Sequence, residues 1–140
     1  MKTEDLLNIA HTYGNPVYVY DAEKISSQYQ RLTNAFASVP KLRINYAMKA
    51  LSNIAVLKLM KSLGAGLDTV SIQEVQLGLL AGFTPEQIIF TPNGVSISEI
   101  EEAMRLGVQL NIDNLSFLEQ FGTQHPEVPV CIRINPHAMA

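Results

Sequence analysis

Tyr46, Asp68, Phe90, Ile112 and Ile134 stand 22 residues apart, each in or at the end of a short apolar run. Helical patterns fill the gaps. One follows Ser52-Asn53, carries Ile54, Leu57 and Met60, and stops at Gly64. The next opens on Ser71-Ile72-Gln73-Glu74 and stops at Gly82, and a third opens on Ser96-Ile97-Ser98-Glu99 and stops at Gly107. Both openings have the spacing of a capping box, in which hydroxyl and carboxylate satisfy each other's backbone N–H groups. A fourth starts near Asn114 with Leu115, Leu118 and Phe121 and is expected to stop at Gly122. Strand, capped helix, glycine and strand again demand a parallel sheet, because parallel neighbours need a crossover between them. Strands are expected near 43–48, 66–70, 87–91, 108–112 and 129–134. The repeat alone fits either an open doubly wound sheet or a barrel; its even period with short helices and loops favours the barrel.

The segment before the repeat reads differently. A short helix capped by Thr3 is expected to run to about His11, with a turn at Gly14-Asn15-Pro16 and a strand through Val17 and Val19. Asp21 caps a longer helix whose Ile25, Tyr29, Leu32 and Phe36 fall on one face, and Val39-Pro40 is expected to end it. Residues 1–40 are therefore taken as a helix, strand and helix leading into a second unit, 41–140.

Composition narrows the function classes. With 140 residues, 47% hydrophobic and 16% charged, the chain can bury a core. A net charge of −3 with no basic run argues against nucleic acid as a partner. No stretch approaches the roughly 18 apolar residues of a membrane span. The start, Met-Lys-Thr-Glu-Asp, lacks the apolar core of a signal peptide, so a cytoplasmic location is expected. The single cysteine, Cys131, excludes an internal disulfide and a multi-cysteine metal site, and its apolar setting predicts a small core residue. No metal site is expected. Gly64-Ala65-Gly66 fails as a dinucleotide loop, because Thr69 occupies the third glycine's place and the glycines end a helix. Neither Gly-x-Ser-x-Gly, Cys-x-x-Cys nor His-Glu-x-x-His occurs.

The candidate chemistry lies in Arg43-Ile44-Asn45-Tyr46-Ala47-Met48-Lys49-Ala50. A lysine at the carboxyl end of a parallel strand points to where α/β folds keep their ligands. Partial burial there favours the neutral amine, the form that adds to an aldehyde or ketone. Tyr-Ala-Met-Lys-Ala resembles the Tyr-Ala-x-Lys-Ala segment of the fold-type III pyridoxal-phosphate enzymes, whose lysine carries the cofactor. Asn15–Asp21, Gly66–Ser71 with Glu74, Ile88–Asn93, Asn111–Asn114 and Cys131–Pro136 are similar to further segments of that family. Within it the resemblance points to the diaminopimelate decarboxylases, of which the chain covers about the first third.

The resemblance implies a partial (β/α)8 TIM barrel of the alanine racemase/ornithine decarboxylase type, with about five of its eight parallel strands. It implies pyridoxal 5'-phosphate on Lys49, with Lys49 catalytic and Asp68 and Arg133 also at the cofactor. It implies decarboxylation of meso-diaminopimelate to L-lysine and CO2 by a homodimeric parent enzyme acting on a small amino acid. The alternatives are decarboxylases of ornithine, arginine or carboxynorspermidine, and a non-catalytic barrel that binds the same cofactor. Asn93, Asn114 and His137 fall at strand ends facing the site; Ser71 and Glu74 are explained as a helix start; His11 and His125 are assigned no role. The family's phosphate-binding glycines, the acid for the pyridine nitrogen, the stacking histidine, the β-rich domain and a cysteine from the other subunit all belong to positions beyond 140. The sequence stops just after the fifth strand without a capping residue, so the chain is expected to be truncated and inactive by itself.

Overall fold

The computed structural model describes residues 1–134 and 136. They fall into two compact units, Met1–Pro40 and Lys41–Ala140.

The first unit holds α1 (Thr3–Tyr13) and α2 (Ala22–Ala35). Lys2, not Thr3, stands at the start of α1, and its N–H donates to the Asp5 carboxylate at 2.9 Å. Asp21 caps α2 as expected, accepting from the Lys24 N–H at 3.0 Å, and that helix ends at Ala35, ahead of Val39-Pro40. The expected strand through Val17 and Val19 does not form. Val17–Tyr20 has no regular secondary structure and no strand pairing among the described residues, and all four residues are exposed. Alternation of valine and tyrosine favours extended backbone, but only a neighbouring strand makes it a ladder.

The second unit alternates β1 (Asn45–Ala47), α3 (Ile54–Ser62), β2 (Gly66–Thr69), α4 (Ile72–Leu80), β3 (Ile88–Phe90), α5 (Ile97–Arg105), β4 (Gln109–Ile112), α6 (Leu115–Gln124) and β5 (Val130–Ile132). Two short 3-10 turns, Met48–Ala50 and Pro85–Gln87, interrupt the alternation. The helices start where side chains satisfy free N–H groups. Asn53 accepts from Ala55 N, Asn114 from Ser116 N, and the Ser96 N–H donates to the Glu99 carboxylate at 2.9 Å. Helix α6 runs through Gly122 to Gln124, so that glycine is not the stop the sequence predicts. Phe121, one residue earlier, is buried and holds this turn on the core.

The five strands of the described residues are all parallel and stand in the order β1-β2-β3-β4-β5. A doubly wound sheet reverses its order at a switch point, whereas a barrel adds each strand beside the last. Sequential order therefore selects the partial (β/α)8 barrel.

The register differs from the 22-residue spacing. Tyr46 pairs Leu67, Leu67 pairs Ile88, Phe90 pairs Leu110, and Leu110 pairs Val130. Paired residues of parallel strands share a face, and neighbours along a strand alternate. One face thus carries Leu67, Thr69, Ile88, Phe90, Leu110 and Ile112, all buried with Leu57, Val75, Ile100, Ala103 and Phe121 of the helices. The other face carries Asn45, Asp68, Ile89, Gln109, Asn111 and Cys131, half-buried or exposed. Cys131 is therefore exposed, not a core residue. It shares a row with Asn111, while Val130 and Ile132 beside it point to the helix side.

Candidate functional site

The candidate residues meet at the carboxyl ends of the strands, on the face that the helices leave open. Lys49 lies in the turn after β1. Its neighbour Met48 is 1% exposed and anchors the turn in the core, which turns Lys49 the other way. The Tyr46 hydroxyl donates to the Leu51 carbonyl at 2.9 Å and ties the far side of the turn back to the strand. Lys49 is exposed, not partly buried as expected, and forms no ion pair among the described residues.

Asp68 is the third residue of β2. Behind it the Val70 N–H donates to Glu74 Oε2 at 2.8 Å, and Ser71 Oγ accepts from the Glu74 N–H at 3.2 Å. These bonds clamp the β2–α4 joint and give Ser71 and Glu74 a structural role next to Asp68. Arg133 follows β5; its N–H donates to the Ile112 carbonyl at 2.9 Å, so the ladder continues one residue past the strand and holds that position. Thr91 is held in the same way after β3, donating from its N–H to the Thr69 carbonyl at 2.8 Å.

A groove of about 380 Å³ brings Lys49, Asp68 and Arg133 together, with Thr91, Asn111 and Asn45 as polar walls and Val70 and Ile89 as apolar ones. Two cations and one carboxylate thus face a common space, and its volume suits a small organic ligand. A larger depression, about 620 Å³, lies at the amino-terminal ends of β4 and β5, walled by Val108, Leu110, Val128 and Pro129. Among the described residues Glu86 is its one charged wall, and none of the candidate residues lines it.

Thr91 and Asn111 are members of the site that the sequence reading did not single out. Thr91 Oγ donates to Asp68 Oδ1 at 2.9 Å, and Asn111 Nδ2 donates to Thr91 Oγ at 3.1 Å. A polar residue at the end of each apolar run was the available signal, but the 22-residue spacing aligns Asp68 with Phe90 and hides it. Asn93 is exposed and does not line the groove, and Asn114 spends its side-chain oxygen on capping α6. His125 packs on the Phe121 ring at 4.9 Å and stands 3.5 Å from Glu101, away from the groove. Asn135 and His137 lie outside the described residues.

Residues 22–140 match the family described as pyridoxal-dependent decarboxylase, pyridoxal binding domain. The diaminopimelate decarboxylase of Methanothermobacter thermautotrophicus is 37% identical over 134 residues, covering 94% of this chain and 31% of that protein. Among solved structures, the diaminopimelate decarboxylase of Helicobacter pylori complexed with L-lysine superposes with a TM-score of 0.83 at 37% identity, over 96% of this chain and 34% of that one. The lysine/ornithine decarboxylase of Vibrio vulnificus complexed with cadaverine gives 0.84 at 25% identity, over 99% and 38%. The chain spans about a third of the length of the curated relatives it matches.

Proposed function

The chain belongs to the pyridoxal-dependent decarboxylases, by their pyridoxal binding domain, and on that premise we propose that it serves the decarboxylation of meso-diaminopimelate to L-lysine and CO2. The observation that carries this reading is the groove in which Lys49, Asp68 and Arg133 converge at the strand ends. The donor set fits pyridoxal phosphate. Lys49 offers a primary amine with no ion-pair partner among the described residues, so nothing competes with an incoming aldehyde. Arg133 offers a planar fork of N–H donors to an anionic oxygen of the ring system.

In this reading Lys49 would hold the cofactor through its side-chain amine. Asp68 stays an acceptor and sets the charge opposite the two cations. Val70 and Ile89 give the groove an apolar wall against which a ring can lie. When bound, the cofactor supplies an electron sink for the pair left behind as CO2 departs, while the protein orients the bond that breaks. The diaminopimelate substrate is favoured by relatives 32–39% identical that bear that activity as their name. A second reading, decarboxylation of lysine or ornithine, is favoured by the TM-score of 0.84 to the Vibrio vulnificus enzyme. Homodimerisation of the whole protein and a cytoplasmic location belong to the same proposal, as does the view that these 140 residues alone do not turn over. Residues 1–40 serve as a lead-in to the barrel portion, 41–140.

The test is to add pyridoxal phosphate, dialyse, reduce with borohydride and map the peptides. A pyridoxyl group on Lys49, absent from Lys49→Ala, is expected. Label spread evenly over the lysines would sink the assignment of Lys49 in this chain. Assaying the whole protein with meso-diaminopimelate, ornithine and lysine then chooses between the two substrates.

A further inference from the structure

The hydrogen bonds around Asp68 have a direction that the chemistry of their members dictates. An ionised carboxylate only accepts. Thr91 has one hydroxyl proton, and it goes to Asp68 Oδ1 at 2.9 Å. The Thr91 oxygen can then only accept, and it accepts from Asn111 Nδ2 at 3.1 Å. That fixes the Asn111 amide with its oxygen outward, toward Gln109 Nε2 at 3.4 Å. A flipped Asn111 would draw the Thr91 proton to itself and leave Asp68 Oδ1 without its donor. Thr91 is itself 7% exposed, so its hydroxyl has little access to water as a substitute partner. Asp68 lies on β2, Thr91 directly follows β3 and Asn111 lies on β4, and all line the groove with Lys49.

We propose that Thr91, polarised by Asn111, is the positioning residue of this site: it locks the Asp68 carboxylate in one orientation, which presents Oδ2 to the groove shared with Lys49. This rests on the proposed function for its purpose, but the lock is a property of the chain alone. Neither Thr91 nor Asn111 needs to touch the reacting atoms. Glu74 and Ser71 hold the backbone just beyond Asp68, whereas among the described residues Thr91 alone hydrogen-bonds its side chain. A hydrogen bond to a charged group is among the stronger ones in a protein; this one is part-buried, and its loss leaves the carboxylate free to turn.

The test measures the side chain of Asp68 directly, in the chain without cofactor, from its Hα–Hβ scalar couplings by NMR. Wild type is expected to show one rotamer and Thr91→Val an average of several, with the amide shifts of α4, α5 and the remaining strands unchanged. Thr91→Ser keeps the hydroxyl and is expected to restore the single rotamer. Asn111→Leu, at a half-buried position, is expected to average Asp68 to a lesser degree, and it decides the matter should Thr91→Val not fold. A single Asp68 rotamer in both Thr91→Val and Asn111→Leu would overturn the proposal. A second measurement repeats the pyridoxal phosphate labelling. Site-selective label on Lys49 is expected to fall about tenfold in Thr91→Val, the effect of one lost hydrogen bond to a charged group, and to return in Thr91→Ser. Unchanged label beside an averaged Asp68 would overturn the link to Lys49. Absence of label even in wild type would instead remove the assignment of Lys49 in this chain and leave the couplings to judge the lock.

Discussion

Gly78 of α4 lies so close to Leu67 of β2 that a methyl group built on it would stand 2.7 Å from Leu67 Cδ1 and 3.3 Å from Ile88 Cδ1. A glycine inside a helix costs about 1 kcal/mol against alanine, so Gly78→Ala would ordinarily stabilise. Here Leu67 and Ile88 are both fully buried, and overpacking such a core costs roughly 1–3 kcal/mol. The clash wins. Gly78→Ala is expected to destabilise the second unit by about 1 kcal/mol net in urea unfolding. A gain in stability would show that Leu67 has room to turn away.

The joint between β2 and α4 predicts a coupled pair. Glu74 receives the Val70 N–H on its carboxylate and gives its own N–H to Ser71. Ser71→Ala removes a cap and is expected to cost about 1 kcal/mol. Glu74→Ala leaves the half-buried Val70 N–H without its acceptor, also roughly 1 kcal/mol. The double variant is expected to cost less than the two together, because both bonds hold one turn. Full additivity in a thermal or urea cycle would mean that the two bonds act separately.

A pH dependence follows from Asp21. Its carboxylate accepts the Lys24 N–H and lies 3.1 Å from the amino terminus, and these hold its pKa below the ordinary 3.8, the Lys24 bond contributing most. A depressed carboxyl pKa stabilises the fold above the unfolded value and loses that contribution as pH falls through the folded one. The start of α2 is therefore expected to fray below pH 3.8, seen as a loss of helical Cα shifts at Ala22–Ile25. Asp21→Asn, which caps without ionising, is expected to abolish this pH dependence. A transition that persists in Asp21→Asn would place its origin elsewhere.

How far the sequence could be read depended on whether a signal was local. Asn53, Ser71, Asn114 and Asp21 announce helix starts because a cap acts within three residues, and each caps where expected. Lys49 falls at the end of β1 because its strand is short and its turn is anchored by Met48. The strand pairings were another matter. Register is set by which face of each strand is buried and by the connections between strands, and a slip of one residue exchanges the faces. A spacing of 22 residues located every strand yet put Asp68 in line with Phe90, which points to the opposite face. The true partners of Asp68 across the sheet, Thr91 by hydrogen bond and then Asn111, appear only once register is known. Val17–Tyr20 failed for a related reason, since strand propensity is fulfilled only by a partner.

The same face reversal makes Cys131 testable. It is exposed and sits in register with Asn111, on the open side of the sheet. Native chain is expected to react stoichiometrically with a small alkylating reagent, at the rate of the urea-unfolded chain to within a few-fold, since exposure governs access to a thiol. Protection by orders of magnitude until unfolding would return Cys131 to the core and contradict the β4–β5 register.

The sheet also predicts how the isolated chain behaves at concentration. Strand β1 pairs only with β2, and β5 only with β4, so each outer strand leaves one row of backbone donors and acceptors without a strand neighbour among the described residues. Beside the β5 edge, Ile132 and Ile134 are 57% and 81% exposed. A bare edge flanked by apolar side chains is a template for pairing with another chain, and natural proteins blunt such edges with charge. The 140-residue chain is therefore expected to self-associate at tens of micromolar in sedimentation velocity. Ile132→Lys places a charge on that edge at a half-exposed position, where the cost to folding is small, and is expected to shift the distribution toward monomer. Monodisperse monomer in the wild-type chain would mean that the edges are covered. Association that Ile132→Lys leaves unchanged would move the contact away from β5, to the β1 edge or to the exposed leucines Leu80 and Leu115 on the helices.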